Sequence, residues 1–200
     1  MPAAKVVIVT PAPPGSRAGN RKTAIRWAQF LRDFGCRVSV LTQWAGEPCD
    51  LLVALHARKS HDALRAFRES HPDRPAVLAL TGTDIYRDIR QDRDAAASLE
   101  MATRLIVLQK EALEELTPKQ RRKARVIHQS VTSSLVPVPP VRKFRLCVLG
   151  HLREEKDPFC AARALRWVPD SHVEIIQAGR ALSAKMTHEA ERRMRDDARY

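Results

Sequence analysis

The sequence lacks the features that mark several large classes of protein. Aromatic residues make up only 5% of its 200 residues, and no basic recognition helix or zinc-knuckle spacing is present. Positive charge is therefore the only feature of the sequence that favours nucleic-acid binding. There is no G-x-G-x-x-G and no G-x-x-x-x-G-K-[ST] sequence, which argues against a dinucleotide dehydrogenase or a P-loop NTPase. No carboxylates are paired at a spacing suited to acid–base catalysis, and no His/Cys set has metal-ligand spacing. We therefore expect no metal and no cofactor.

Two further absences concern the compartment. The four cysteines never form a C-x-x-C pair, so we expect reduced thiols. The apolar run near the N-terminus, residues 6–9, is far too short for a signal sequence or a membrane span. These observations predict a cytoplasmic protein without stable membrane insertion.

What the sequence does have is an excess of positive charge. Its 35 lysines and arginines outnumber 23 aspartates and glutamates, which gives a formal net charge of +12. A solvated surface accounts for many of these side chains, and an anionic partner is the alternative. Because the aromatic content is low, a phosphorylated small molecule fits this charge better than nucleic acid does.

Short apolar runs alternate with amphipathic segments along the first 129 residues. The first run, residues 6–10, is largely β-branched, which predicts a strand buried on both faces of a parallel sheet. The next segment carries Ala24, Ala28, Leu31 and Phe34 at helical spacing and stops at Gly35. The alternation predicts strands at residues 6–10, 38–41, 51–55, 76–80, 105–108 and 125–128, and helices at residues 20–34, 60–71, 93–101 and 110–116. It indicates an α/β, doubly wound, Rossmann-like domain.

A proline-rich stretch, residues 130–144, follows this domain and has no periodicity, which predicts a linker. The alternation then resumes with predicted strands at residues 146–149 and 173–177 and predicted helices at residues 158–167 and 182–195, with Pro158 at the first helical position. Two strands and two helices cannot close a doubly wound domain. We therefore expect a complete first domain at residues 1–129 and a partial, C-terminally truncated second domain at residues 145–200.

The loops after the strands hold the candidate binding residues, because open α/β sheets bind ligands outside the carboxyl ends of their strands. After the first strand, Gly15 and Gly19 let the backbone approach a ligand, and Asn20 opens a helix between Arg17 and Arg21. An ordinary flexible loop is the alternative.

Basic and polar residues also follow the third and fourth strands. His56, Arg58 and Lys59 precede a helix N-terminus, where they suit an anion clamp, with a solvated turn as the alternative. After the fourth strand, the segment that begins at Thr81 contains Asp84. We expect this carboxylate to accept hydrogen bonds from hydroxyl groups, with a helix cap as the alternative.

The second half offers a candidate phosphate site. Its first strand runs through Gly150 into a charged turn with Arg153 and Lys156, just before a predicted helix start. The backbone N–H groups of the first helical turn, the helix dipole and the ammonium group of Lys156 are expected to point at one spot.

This turn, Gly-His-Leu-Arg-Glu-Glu-Lys at residues 150–156, resembles the Gly-Arg-Leu-x-x-x-Lys motif of the retaining family-four glycosyltransferases of GT-B type. Gly150, Leu152 and Lys156 match the motif, whereas His151 occupies the place of the family arginine and cannot form its bidentate fork. Arg153 is the nearest replacement. In that family the Arg and Lys hold the diphosphate of a nucleotide-sugar donor, and the resemblance implies this role for Gly150, Arg153 and Lys156.

The first half also resembles these enzymes. Gly19-Asn20 stands in place of a Gly-Gly pair, and residues 81–84 read Thr-Gly-Thr-Asp where many members have His-Gly-Thr-Asp. The segments at residues 9–21, 80–88 and 150–158 are similar to those of the selenosugar synthases of selenoneine biosynthesis, which join a sugar from a UDP-sugar to selenophosphate. This resemblance covers nearly the whole chain.

The resemblance implies a UDP-sugar as the donor substrate and a small anion, selenophosphate, as the acceptor. The residues it implies for acceptor binding are Arg17, Gly19, Asn20, Arg21, His56, Arg58, Lys59, Thr81 and Asp84. A selenium nucleophile is already ionised at neutral pH, so no strong general base is required. An inactive phospholigand-binding remnant of such a protein is the alternative, and a basic nucleic-acid binder is the less favoured one.

Overall fold

The chain divides into two compact units, Met1–Thr132 and Ser133–Tyr200, in a computed structural model that describes residues 3–131, 142–169 and 172–200. The strands of the first unit are β1 (Lys5–Val9), β2 (Arg37–Leu41), β3 (Leu51–Leu55), β4 (Ala76–Leu80), β5 (Arg104–Val107) and β6 (Ala124–Val126). They form one parallel sheet in the order β2-β1-β3-β4-β5-β6. All six predicted strands of this unit are confirmed, with ends that shift by up to two residues.

Helices connect these strands. They are α1 (Gly19–Asp33), α2 (His61–Ser70), α3 (Ile89–Gln91), α4 (Arg93–Met101) and α5 (Pro118–Lys123). A π-helical turn, Asp84–Asp88, leads into α3, and a 3-10 turn, Glu111–Glu115, follows β5. The segment predicted as helical at residues 110–116 is therefore a 3-10 helix and not an α-helix. Phe34 is 85% exposed because it lies at the C-cap of α1, beyond its apolar face.

Both faces of the sheet are covered, as apolar parallel strands require. Under α1 lies a buried cluster of Val6, Ile8, Ala24, Ala28, Val53, Leu55 and Ala79. On the opposite face α2 covers Val7, Val9, Trp44, Cys49, Leu52, Ala63, Leu64, Phe67 and Ala76. Alternate residues of β1 thus belong to opposite clusters, because successive side chains of a strand point to opposite faces.

The second unit has two parallel strands, β7 (Phe144–Leu149) and β8 (Val173–Ala178), and two helices, α6 (Cys160–Ala164) and α7 (Ala184–Asp196). Its small core contains Leu152, Phe159 and Met186, with Tyr200 packed against them. The helix predicted at residues 158–167 is corrected: α6 has only five residues, continues as a 3-10 turn, Leu165–Trp167, and begins after Pro158.

The predicted linker at residues 130–144 falls mostly on residues 132–141, which lie outside the described residues. All four cysteines are free thiols. Within the described parts of the chain, no helix is long and apolar enough to cross a membrane.

Candidate functional site

The order of the strands places the first group of candidate residues. In the strand order, the connection after β1 runs to β2 on one side, whereas the connection after β3 runs to β4 on the other side. Parallel sheets bind ligands at such a switch point, outside the carboxyl ends of the strands. The loops after β1 and β3 therefore border the crevice where a ligand is expected.

The loop after β1 leads into an uncapped helix. Ala18 occupies the N-cap of α1 in an extended conformation and makes no side-chain capping bond. Ser16 Oγ accepts a hydrogen bond from the N–H of Ala18 at 3.1 Å. The first turn of α1 thus presents its partial positive charge without a side-chain acceptor of its own.

Two side chains near this helix start have unused hydrogen-bonding groups. Thr10, at the end of β1, is fully buried, and its Oγ1 has no partner among the described residues. The buried Nη1 of Arg21 likewise has no partner there. Arg17 and Gly19 are exposed, and Asn20 is half-buried. The four residues predicted from the sequence, Arg17, Gly19, Asn20 and Arg21, thus lie together at the start of α1 and border one loop.

His56, the first residue after β3, adopts an unusual backbone conformation. Its φ of +79° lies in the left-handed region that non-glycine residues seldom occupy. The side chain is buried, and burial lowers the pKa of His56 below its ordinary value. The imidazole is therefore neutral at pH 7, so only Arg58 and Lys59 of this loop carry positive charge. Both are exposed.

The residue before α2 uses its side chain to hold the loop after β3. Ser60 is the N-cap residue but makes no capping bond. Its Oγ instead donates to the carbonyl oxygen of Leu55 at 2.7 Å. The hydroxyl group thereby ties the loop back to the end of β3, and its proton is not available to a ligand.

Asp84 joins the loops after β3 and β4. This fully buried carboxylate accepts hydrogen bonds from the backbone N–H groups of Ala57 at 3.0 Å, Thr81 at 2.9 Å and Gly82 at 2.8 Å. Gly82 has a φ of +141°, which lets the chain turn tightly around the carboxylate. In this structure Asp84 holds the two loops together, and Thr81 lies half-buried beside it.

Asp88 is a functional candidate that the sequence analysis did not identify. It lies at the end of the π-helical turn with 5% of its surface exposed. Its Oδ2 accepts a hydrogen bond from Arg58 Nε at 3.1 Å, and its Oδ1 accepts one from Arg87 Nε at 3.0 Å. Burial by itself raises the pKa of Asp88, but the hydrogen bonds from the two guanidinium groups outweigh it and lower the pKa. The carboxylate is therefore charged at neutral pH.

A second buried pair, His61 and Ser98, also contacts the loop after β3. His61 Nδ1 lies 3.0 Å from Ser98 Oγ. Ser98 Oγ in turn lies 2.8 Å from the carbonyl oxygens of both Ala57 and Asp94, which share its one hydroxyl proton. The loop after β3 is thus held by Ser60, Asp84 and Ser98, which fixes the backbone around Arg58.

In the second unit, two glycines meet where β7 and β8 end. Gly150 follows β7 with a φ of +151°, and its N–H donates to the carbonyl oxygen of Ala178 at 2.9 Å. Gly179 follows β8, and a Cβ atom added to it would overlap the carbonyl oxygen of Gly150. Both positions require glycine, one for its backbone angles and the other for space.

Lys156 folds back over this glycine pair. Its Nζ lies 3.7 Å from the position that a Cβ on Gly150 would take. Lys156 belongs to a 3-10 turn, Glu154–Lys156, and left-handed Asp157 separates it from α6. Helix α6 begins at Cys160, two residues after the predicted start at Pro158, and with only five residues it offers a weak dipole. The predicted proximity of Lys156 to Gly150 does not depend on this helix, because it is set by the turn itself.

The two residues that flank Leu152 have different environments. His151 Nδ1 accepts a hydrogen bond from the N–H of Arg180 at 3.1 Å, so the neutral ring carries its proton on Nε2. Arg153 Nε is buried and has no partner among the described residues. An unpartnered guanidinium N–H is costly to bury unless an acceptor binds to it. Arg153 thus has one buried N–H donor without an acceptor among the described residues.

The comparisons with known proteins concern the fold. No family model and no curated protein matches the chain. Among solved structures, the chain resembles Anabaena HepE in complex with UDP and glucose, with a TM-score of 0.59, 15% sequence identity and coverage of 96% of this chain and 66% of that one. It also resembles the glycotransferase of kitacinnamycin, with a TM-score of 0.51, 13% identity and coverage of 88% and 66%.

These similarities confirm the predicted fold class, an α/β Rossmann-like fold of the GT-B type. The chain spans 66% of the length of each of these two solved proteins, which is just under two thirds.

Proposed function

We propose that the chain is a glycosyltransferase that moves a sugar from a UDP-sugar to a small anionic acceptor. The observation that carries this proposal is the turn after β7, where the Lys156 ammonium group lies 3.7 Å from the position that a Cβ atom on Gly150 would take. The fold supports it, because HepE, a protein of similar fold, was solved in complex with UDP and glucose.

In this proposal the second unit binds the donor. Lys156 and Arg153 pair with the diphosphate, and the absence of a side chain at Gly150 leaves room beside Lys156 for its oxygens. As the bond between the anomeric carbon and the diphosphate oxygen breaks, its electron pair leaves with UDP. Positive charge held in place beforehand stabilises this developing negative charge.

The first unit binds the acceptor in this proposal. Hydrogen bonds to the acceptor come from the backbone N–H groups of Gly19 and Asn20 and from the side chains of Arg17, Arg21, Arg58 and Lys59. His56 is neutral and buried, and Asp84 already accepts three backbone N–H groups. We therefore assign both of these residues to holding the loops in place, with Thr81 beside them.

The acceptor that we propose is selenophosphate, and the product is a selenosugar, as in selenoneine biosynthesis. An electron pair on selenium attacks the anomeric carbon and forms the C–Se bond while UDP departs, which gives a sugar Se-phosphate. Water then takes the phosphoryl group from selenium, so the P–Se bond breaks and phosphate and the selenosugar are released. No proton has to be removed from an ionised selenium nucleophile, so the proposal needs no general base. The resemblance of the segments at residues 9–21, 80–88 and 150–158 to selenosugar synthases supports this choice.

The test is a transfer assay with the full chain, a panel of UDP-sugars and selenophosphate or phosphate as acceptor, read by mass spectrometry. The proposal predicts a selenium-containing sugar and release of UDP, both lost in Lys156→Ala and retained in Lys143→Ala, whose ammonium pairs with Glu174 on the exposed surface. Binding of UDP without transfer supports the non-catalytic remnant instead. Steeply salt-dependent binding to DNA favours the nucleic-acid binder.

A further inference from the structure

Asp88 places two arginine side chains with the same geometry. Arg58 and Arg87 both donate to its carboxylate through Nε, at 3.1 and 3.0 Å. The carboxylate is almost fully buried, with 6% of the side chain exposed, whereas 44% of the Arg58 side chain is exposed. One end of the Arg58 guanidinium group is therefore fixed inside the protein, and the rest faces solvent.

The choice of Nε decides what remains free on Arg58. A guanidinium group has five N–H donors arranged around a plane, and Nε provides only one of them. Within the described part of the chain, the Arg58 side chain makes no other hydrogen bond. The Nη1 and Nη2 groups together form the fork that binds two oxygens of a phosphate-like anion.

The backbone that carries Arg58 is held as firmly as its side chain. The preceding residue, Ala57, donates its N–H to Asp84 and accepts a hydrogen bond from Ser98 at its carbonyl oxygen. Two residues further on, Ser60 is bonded to the end of β3. Asp88 thus completes a set of contacts that limits the conformations open to the guanidinium group.

The charges near this arginine favour an anion. Arg58, Arg87 and Lys59 carry three positive charges, against the two carboxylates that lie beside this loop, Asp88 and Asp84. His56, whose Nε2 lies 4.0 Å from Asp88 Oδ2, is neutral and leaves this balance unchanged.

We infer that Asp88 is a positioning residue: its buried carboxylate holds Arg58 by Nε and thereby leaves Nη1 and Nη2 to bind a tetrahedral oxyanion at the carboxyl end of β3. This inference deepens the proposed function, on which it rests, because it names the side chain that fixes the acceptor-binding arginine. The ligand class is a phosphate or a phosphate analogue in which selenium replaces one oxygen.

The experiment measures binding of inorganic phosphate to the full chain by calorimetry. Asp88→Asn keeps the shape of the side chain but removes the charge, and we expect phosphate to bind about tenfold more weakly. Asp62→Asn is the matched control, because Asp62 also pairs with an arginine, Arg65, but on the exposed surface. Its phosphate affinity should equal that of the unchanged protein.

A double-mutant cycle separates positioning from a merely structural role. In an Arg58→Gln background, Asp88→Asn should cause no further loss of phosphate affinity, because the arginine that Asp88 holds is gone. UDP affinity should stay unchanged in all these variants. Equal losses of phosphate affinity with and without Arg58, or an unchanged affinity in Asp88→Asn, overturn the inference.

Arg58→Lys keeps the test informative if Asp88→Asn does not fold. Lysine retains the positive charge but offers one ammonium group, which cannot bond to Asp88 and present a planar fork at once. We expect Arg58→Lys to lose phosphate affinity about tenfold as well, and an affinity equal to that of the unchanged protein contradicts the inference. Phosphate binding of this kind without sugar transfer leaves the inference standing and removes the proposed function.

Discussion

Gly150 and Gly179 touch across the ends of two neighbouring parallel strands, so closely that the carbonyl oxygen of Gly150 occupies the space of any side chain on Gly179. The backbone at Gly150 is also the surface against which Lys156 folds. The position of the lysine therefore depends on the absence of a single methyl group at a residue 23 positions later in the chain.

Gly179→Ala tests this dependence. Because the new methyl group meets rigid backbone, the two strand ends have to separate, and we expect the second unit to lose about 1–3 kcal/mol of its free energy of unfolding. UDP binding should weaken as Gly150 moves away from Lys156. Gly19→Ala is the control, since open space surrounds Gly19 and its φ is ordinary. If Gly179→Ala has the same free energy of unfolding and the same UDP affinity as the unchanged protein, the close approach of Gly179 to Gly150 has no structural importance.

His56 makes the stability of the first unit depend on pH. Burial is the largest cause of its lowered pKa, Asp84 and Asp88 oppose the change, and Lys59 and Arg58 add to it. Histidine in the unfolded chain has a pKa of about 6.5. Below pH 7 the unfolded chain therefore binds a proton at this residue, whereas His56 in the folded chain stays neutral. The contribution of neutral His56 to the free energy of unfolding is therefore fully present above pH 7. It is lost as the pH falls towards the pKa of His56 in the folded protein.

Denaturant unfolding of the first unit between pH 7.5 and pH 5, read at its own transition, measures this effect. His56→Asn should flatten the dependence on pH while tolerating the left-handed backbone, because asparagine is among the residues that adopt it most readily. His56→Val should destabilise the protein by about 1–2 kcal/mol at all pH values. His128→Asn, at an exposed position of the same unit, should leave the pH profile unchanged. An unchanged profile in His56→Asn contradicts the assignment.

Asp84→Asn distinguishes a structural carboxylate from a ligand-binding one. An amide replaces one acceptor oxygen by a donor, which then faces the backbone N–H groups of Thr81 and Gly82 or of Ala57. We expect a loss of about 2–4 kcal/mol in the free energy of unfolding. Asp62→Asn on the surface should cost almost nothing. A stable Asp84→Asn protein that has lost only substrate binding restores the original prediction for this residue.

The sequence predicted the elements whose apolar pattern is strong. The parallel strands of the first unit are continuous β-branched and leucine-rich runs, and α1 shows its buried face through Ala24 and Ala28. Helix α5 escaped prediction because none of its residues is buried, so it has no apolar period. Its capping box, in which Thr117 and Gln120 bond to each other's backbone, was the available signal.

The candidate site was only partly predictable for a related reason. The loops after the strands follow from the alternation of elements, and Arg58 and Lys156 are visible as cations in those loops. Asp88 meets Arg58 across 30 positions of sequence, and such a contact depends on how β3 and β4 pair. The left-handed conformation of His56 and the overlap at Gly179 likewise arise from tertiary packing.

The affinity of UDP for the full chain is the most direct test of the central claim, that the turn at Gly150 and Lys156 binds the diphosphate of a nucleotide sugar. Calorimetry should detect UDP binding by the unchanged protein and by Lys143→Ala. In Lys156→Ala, the loss of one charge-assisted contact should weaken that binding by about tenfold or more. Equal UDP affinity in Lys156→Ala and the unchanged protein, or no UDP binding by a folded chain, contradicts the account.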